Sequence, residues 1–147
     1  EVIASISSIG NISCNGLCDG YVLGNASGGT PPYSYSWNTG DNSIQITNLC
    51  AGQYSITVTD DNGCTGTIDT TLTEPQQLSA SLTNTEVTCQ YDCDATATAS
   101  TSGGTSPYTY QWNDNALQTT MVAYDLCEGS YSITITDFCL TVLYRDK

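Results

Sequence analysis

Alternation with a period of two runs through the chain. Tyr33, Tyr35 and Trp37 alternate with Ser34 and Ser36. Tyr54, Ile56 and Val58 alternate with Ser55, Thr57 and Thr59, and Ile44 and Ile46 flank Gln45. Successive strand side chains point to opposite faces, so this spacing predicts half-buried strands rich in aromatic and β-branched residues. Turn-forming runs separate them: Gly28-Gly29-Thr30-Pro31-Pro32, Asn38 to Asn42, and Asp60-Asp61-Asn62-Gly63. Glycine supplies left-handed backbone there, and Asn and Asp bond their own main chain. No stretch carries helical spacing. Short strands punctuated every ten residues or so predict an all-β fold of immunoglobulin-like β-sandwiches.

The pattern occurs twice. A shift of 75 positions lays Cys14 on Cys89, Cys18 on Cys93, and "GGTPPYSYSW" on "GGTSPYTYQW". Two extra residues then move the offset to 77, where "LCAGQYSITVTD" lies over "LCEGSYSITITD". Pairing Cys64 with Cys139 restores 75, which implies a shortened turn at Asp137-Phe138 in the second copy. Two tandem sandwiches are therefore expected, over 1–74 and 75–147. Pro75, which donates no hydrogen bond and biases its predecessor to an extended backbone, marks the boundary in a short, stiff "TEPQQ" linker. The first strand is the least regular, because Ile6 and Leu82 do not share the offset.

Charge narrows the partners. Fifteen acidic side chains face two basic ones, Arg145 and Lys147, for a net charge of −13. Nothing here neutralises phosphates, so neither nucleic acid nor membrane insertion is expected. Histidine is absent, which removes Ser-His-Asp and Cys-His catalysis. No apolar run reaches the roughly 18 residues a membrane helix needs. No charged-then-apolar leader is present, so a secretion signal is expected to lie outside these residues or to have been removed.

Eight cysteines without histidine indicate disulfides and an oxidising, extracellular setting. Four per copy allow three connectivities. Cys50 and Cys64 flank a strand that holds its ends about 25 Å apart, whereas bridged Cα atoms lie within about 7 Å. Joining Cys14 to Cys18 would strand the other two. Of the remaining schemes we favour Cys14–Cys64 with Cys18–Cys50, and by repetition Cys89–Cys139 with Cys93–Cys127. That choice supposes that the chain has doubled back by the time it reaches Cys64. A four-cysteine zinc site normally has close pairs at both ends, and only Cys14 and Cys18 form one.

The phrases "SCNGLCDG" (Ser13 to Gly20), "SGGTPPYSYSW" (Ser27 to Trp37), "LCAGQYSITVTDDNGC" (Leu49 to Cys64) and the closing "TEP" resemble the SprB repeat, a module of giant surface adhesins of gliding bacteria. "YSWNTGD" is also similar to the polycystic-kidney-disease type of immunoglobulin-like domain. The resemblance implies a module exported to the cell surface by type IX secretion, within a long filament moved by the gliding machinery. Neighbouring repeats of the same array are then the implied partners, with surface polysaccharide a further candidate.

Several residues invite a chemical reading. Tyr33, Tyr35 and their counterparts Tyr108 and Tyr110 could present an aromatic platform to sugars, but they share a strand face with Trp37 and Trp112, and such a face usually packs inward. Asp60, Asp61 and Asn62, with Asp19 and Asp41, could offer oxygen ligands to calcium; solvated turn residues are the plainer reading. The second copy keeps Asp94, Asp114 and Asp137. Gly28-Gly29 lacks the lysine of a phosphate loop. Catalysis is not expected, since no glutamate sits in an apolar strand. The leading expectation is a structural and adhesive surface repeat without a cofactor. The alternatives are a calcium-dependent carbohydrate-binding module and a self-assembling filament subunit.

Overall fold

A computed structural model describes residues 1–89 and 91–146, with backbone alone over 144–146. The chain divides into two compact units, Glu1–Glu74 and Pro75–Lys147. Among the described residues every regular element is a strand.

In the first unit the strands are β1 (Val2–Gly10), β2 (Gly20–Gly28), β3 (Ser34–Trp37), β4 (Gln45–Leu49), β5 (Gly52–Thr59) and β6 (Thr65–Leu72). They form two antiparallel sheets, β1-β2-β4 and β3-β5-β6. Inward residues of both sheets meet in one core: Val2, Val22, Ile46 and Leu49 from the first, Trp37, Ile56, Val58 and Leu72 from the second. These are the alternating positions of the sequence, and their side chains exclude water between the sheets. The architecture is an immunoglobulin-like β-sandwich.

Register fixes two ends. Val2 lies opposite Gly28 and Thr59 opposite Thr65, at the end where the chain comes in, the proximal pole. Gly10 lies opposite Tyr21, Gly20 opposite Leu49 and Gly52 opposite Leu72, at the distal pole, where the chain leaves. Ile12 N–H donates to the Thr73 carbonyl at 3.0 Å and Thr73 N–H to Asn11 Oδ1 at 3.0 Å, holding the departing segment to the loop after β1.

The second unit repeats this plan with β7 (Ser79–Asn84), β8 (Ala95–Ser102), β9 (Thr109–Trp112), β10 (Val122–Leu126), β11 (Ser132–Thr136) and β12 (Val142–Asp146). Its sheets are β10-β8-β7 and β12-β11-β9. Ala97, Ala99, Trp112, Ala123, Ile133 and Ile135 form its core. Here too the chain arrives at one pole, where Ser79 faces Ser102, and β12 runs to the other, where Asp146 faces Ser132.

Two irregularities in the alignment have structural causes. Ile6 and Leu82 occupy equivalent places, opposite Gly24 and Ala99, and the extra residue of the first copy is absorbed by a bulge between Ile6 and Ser8. Ser7 at that bulge donates its hydroxyl toward the Leu23 and Gly24 carbonyls. The turn after β11, expected to be shortened, is not. Asp60 N–H donates to the Cys64 carbonyl and Gly63 N–H to the Asp60 carbonyl; Asp137 with Thr141, and Leu140 with Asp137, repeat both bonds. Cys139 therefore stands at the place of Asn62, two positions earlier in an equally long turn. Leu140 takes the left-handed backbone (φ 59°) that Gly63 adopts (φ 80°).

Gly28 and Gly103 lie in left-handed backbone (φ 69° and 65°), where an added Cβ would come within 2.4 Å of the Glu1 carbonyl and 2.2 Å of the Gln77 carbonyl. Backbone cannot give way as a side-chain tip does. Gly28→Ala is expected to cost about 1–3 kcal/mol, a fall in Tm of about 5–20 °C. Gly40 (φ 87°) has open space around it, so Gly40→Ala should cost less. Equal melting curves for the two variants would contradict this.

Candidate functional site

The cysteines occupy the poles, and their positions decide which can pair. Cys18–Cys50 and Cys93–Cys127 are formed, one at the distal pole of each unit. Each is flanked by a tyrosine whose hydroxyl donates to the carbonyl of its second cysteine: Tyr54 to Cys50 at 2.9 Å, Tyr131 to Cys127 at 3.2 Å. The expected Cys14–Cys64 and Cys89–Cys139 bonds are not formed: Cys64 and Cys89 are exposed free thiols. Cys64 ends the tight turn before β6, at the proximal pole, with its N–H on Asp60 Oδ1 at 2.8 Å. Cys14 lies in the distal loop between Ile12 and Gly16, and Gly16 N–H donates to Glu74 Oε2 at 2.8 Å. The eight residues of β6 span the gap, about 25 Å, far beyond a disulfide's reach. The return strand has only begun at Cys64. Cys14 and Cys139 are themselves disulfide-bonded.

The candidate tyrosines are half-buried. Tyr33, Tyr35, Tyr108 and Tyr110 pack their rings, partly buried, against the two cores. Tyr33 donates its hydroxyl to the Gly28 carbonyl and Tyr108 to the Gly103 carbonyl, each at 2.6 Å. Tyr110 meets the Thr101 hydroxyl at 3.1 Å, where the first unit has Ala26 beside Tyr35. On the same strands the Trp37 and Trp112 indoles donate to the Ser43 and Thr120 carbonyls at 2.8 and 2.9 Å.

The acidic side chains are dispersed, and they brace turns. Asp19 accepts from the Ser13 N–H at 3.0 Å and from the Ser13 hydroxyl, across the distal loop. Asp94 accepts from Thr88 in the same manner, at 3.0 and 2.6 Å. Asp41 accepts the Ser43 N–H at 2.7 Å in the β3–β4 turn. Asp60, buried at the proximal pole, collects three backbone N–H groups, from Thr30 at 3.0 Å, Asn62 at 3.0 Å and Cys64 at 2.8 Å. Asn62 Nδ2 turns to the Thr30 hydroxyl at 2.9 Å, and Asp61 is exposed. Asp19 and Asp60 thus sit at opposite ends of the sandwich. The oxygens of Asp60 face backbone donors, an arrangement that holds the loop. No group of three or more acidic or sulfur side chains converges among the described residues.

These bonds shift titration. Backbone donation by Thr30, then Cys64 and Asn62, holds the Asp60 carboxyl below its ordinary value despite burial. Burial pushes Asp114 up, and bonds from Gln118 and Ala116 outweigh it and hold it down. A carboxyl with a lowered folded pKa stabilises the fold above its unfolded value, near 3.9, and that contribution disappears as pH falls through the folded value. Tm should therefore be level from pH 7 to about 5 and decline below about pH 4. Asp114→Asn should flatten the acid limb of the second unit. A Tm that rises continuously toward pH 3 would refute the assignment.

A cavity of about 140 Å³ opens at the distal pole of the second unit, between Val87, Ala97, Leu126 and Tyr131. Asn84, Glu86, Thr96 and Glu128 line it as well. In the first unit Leu72 packs against Gly20, the counterpart of Ala95.

One role invisible in the spacing is that of Gly29 and Gly104. A Cβ there would strike the Asp60 or Asp137 carboxylate at 2.5 or 2.8 Å, so the glycine pair makes room for the carboxylate that ties the loop. The recurrence of "GG" and "TD" at matched places was the available signal.

Comparison with known proteins agrees with the duplication. The family model of the SprB repeat matches residues 6–42 and again 81–117. No curated protein matches the chain. Among solved structures, one described as the structural basis for Dscam isoform specificity is similar at 18 % identity and a TM-score of 0.40, covering 86 % of this chain and 39 % of that one. The amphioxus IgVJ-C2 molecule is similar at 14 % identity and a TM-score of 0.39, covering 99 % and 94 %.

Proposed function

The chain belongs to the SprB repeat family, and on that premise we propose that it is a structural, adhesin-like surface module with no enzymatic activity, contributing length and resistance to a cell-surface filament of the kind used in gliding. One observation carries this reading. Each sandwich receives the chain at one pole and releases it at the other. Within a unit the chain therefore advances by the length of a strand between entry and exit, about 30 Å for a nine-residue strand such as β1, which suits a module that contributes length. The disulfides, the family and the acidic surface support an extracellular setting, where a net charge of −13 keeps a long fibre soluble. Type IX secretion and movement by the gliding machinery belong to the proposal.

The carbohydrate-binding reading finds little to stand on, because the tyrosines are turned inward and the carboxylates already hold backbone donors. A glycan array probed with the chain in calcium and in EDTA separates the two. The structural reading expects no hit. A reproducible hit lost in EDTA would replace it with a calcium-dependent lectin.

A further inference from the structure

We propose that the second unit carries a docking pocket for an arginine side chain of a partner protein, set between Tyr124, Tyr131 and Asp125 where β10 follows the turn from β9. Such a role lies beyond the filament reading and stands independently of it.

The two copies share a fold, so the first shows what the sandwich itself requires at each position. A cavity of about 350 Å³ opens beside β10 in the second unit, lined by Tyr124, Tyr131, Asp114, Asp125, Asn115 and Gln118. At the offset of 77, Tyr124 stands for Thr47 and Asp125 for Asn48. Asp125 keeps the left-handed backbone of Asn48 (φ 54° and 57°), which both residue types tolerate. The preceding turn differs too. Trp37 N–H closes on the Asp41 carbonyl at 2.8 Å, and Trp112 N–H on the Gln118 carbonyl at 2.9 Å, so the second turn spans six positions instead of four. Leu117, next to Gln118, holds left-handed backbone (φ 51°) where Gly40 does (φ 87°), and it is 63 % exposed. The first copy folds without this tyrosine, this carboxylate or this leucine. Their presence in the second is therefore not demanded by the sandwich.

The longer turn also braces the opening. Asp114, buried, accepts the Gln118 N–H at 2.9 Å, the Ala116 N–H at 3.2 Å and Gln118 Nε2 at 2.9 Å. The Gln118 side chain in turn accepts the Tyr124 N–H at 3.0 Å and donates to the Tyr124 carbonyl at 2.9 Å. That pair of bonds fixes the backbone carrying Tyr124 and Asp125. Among the described residues the donors to Asp114 are all uncharged, so its negative charge adds to that of exposed Asp125.

The chemistry of the lining selects its occupant. Two carboxylates repel anions and draw a cation, and a tyrosine face attracts the same charge through its ring quadrupole. A guanidinium is flat and weakly hydrated, so it can lie on a ring while its fork of N–H groups meets a carboxylate. With a net charge of −13, a second copy of this chain is repelled, and a basic partner is drawn in.

The test follows the amide resonances of the whole isotope-labelled chain during titration with a capped Gly-Gly-Arg-Gly-Gly peptide. A matched peptide carries citrulline, which keeps the shape of arginine and lacks its charge. The arginine peptide should give saturable shifts at Gln118, Tyr124 and Asp125 that weaken as salt rises. Asp41, Thr47 and Asn48, at the equivalent places of the first unit, should stay still and serve as the internal control. Tyr124→Thr and Asp125→Asn install the residues of the first copy, so both should melt near the parent. Each should weaken binding about two- to fivefold. An equal response to the citrulline peptide, equal shifts in the two units, or no saturable shift would overturn the pocket. None of these outcomes touches the filament reading, which the glycan array decides.

Discussion

Removing Cys18–Cys50 lowers the Tm of the first unit by about 20–30 °C. The bond closes a span of 32 residues, and Cys93–Cys127 one of 34. In the chain-entropy account, such a cross-link denies the unfolded chain conformations worth about 4 kcal/mol. At about 4–8 °C per kcal/mol for a unit of this size, that is the stated shift. A sandwich of some 74 residues has only about 4–11 kcal/mol of stability in total. The bond therefore decides whether the unit survives at elevated temperature. Calorimetry of a Cys18→Ser/Cys50→Ser chain is the sharper measurement, since reductant also breaks the bonds of Cys14 and Cys139. A shift under about 5 °C would mean that the core suffices without the staple.

Trp37→Ala is expected to cost about 3–5 kcal/mol, an effect as large as loss of the disulfide. Trp37 is 3 % exposed, bridges the two sheets beside Ile56 and Gly24, and directs its indole N–H to the Ser43 carbonyl. Truncation opens a cavity and leaves that carbonyl without its donor. Trp37→Phe keeps most of the volume and loses only the bond, so its cost should be near 1–2 kcal/mol. Denaturant titration of the two variants measures the difference. If both cost the same, the hydrogen bond and not the buried ring dominates at this position.

Much of this architecture is legible in the residues. Alternation places Trp37, Ile56 and Val58 inside, and all three are buried. The prolines, glycines and Asp-Asn-Gly turn mark the loops, and the offset of 75 exposes the duplication. Strand geometry excluded Cys50–Cys64, and the favoured Cys18–Cys50 bond is formed. Cys14–Cys64 is not, because that choice required knowing how far the chain had returned after Val58, and a tight turn held by Asp60 leaves Cys64 at the tip. The second copy misled for a related reason. Aligning cysteine with cysteine hid a turn of unchanged length in which the cysteine had moved to the place of Asn62. Sequence spacing counts residues, whereas a bulge at Ser7 or a turn around Asp60 decides where they point.

By itself the sequence determined the strand-rich fold, its repetition, the inward face of the tryptophans, and the acidic character of the chain. Those properties depend on local periodicity and composition, which a linear chain carries in full. Only the tertiary structure decided which cysteines share a pole and which stand a strand apart. Pairing depends on through-space distance, and that is set by strand register and turn length. The same register puts the arriving and departing ends of each sandwich on opposite sides, the arrangement from which a fibre can be built.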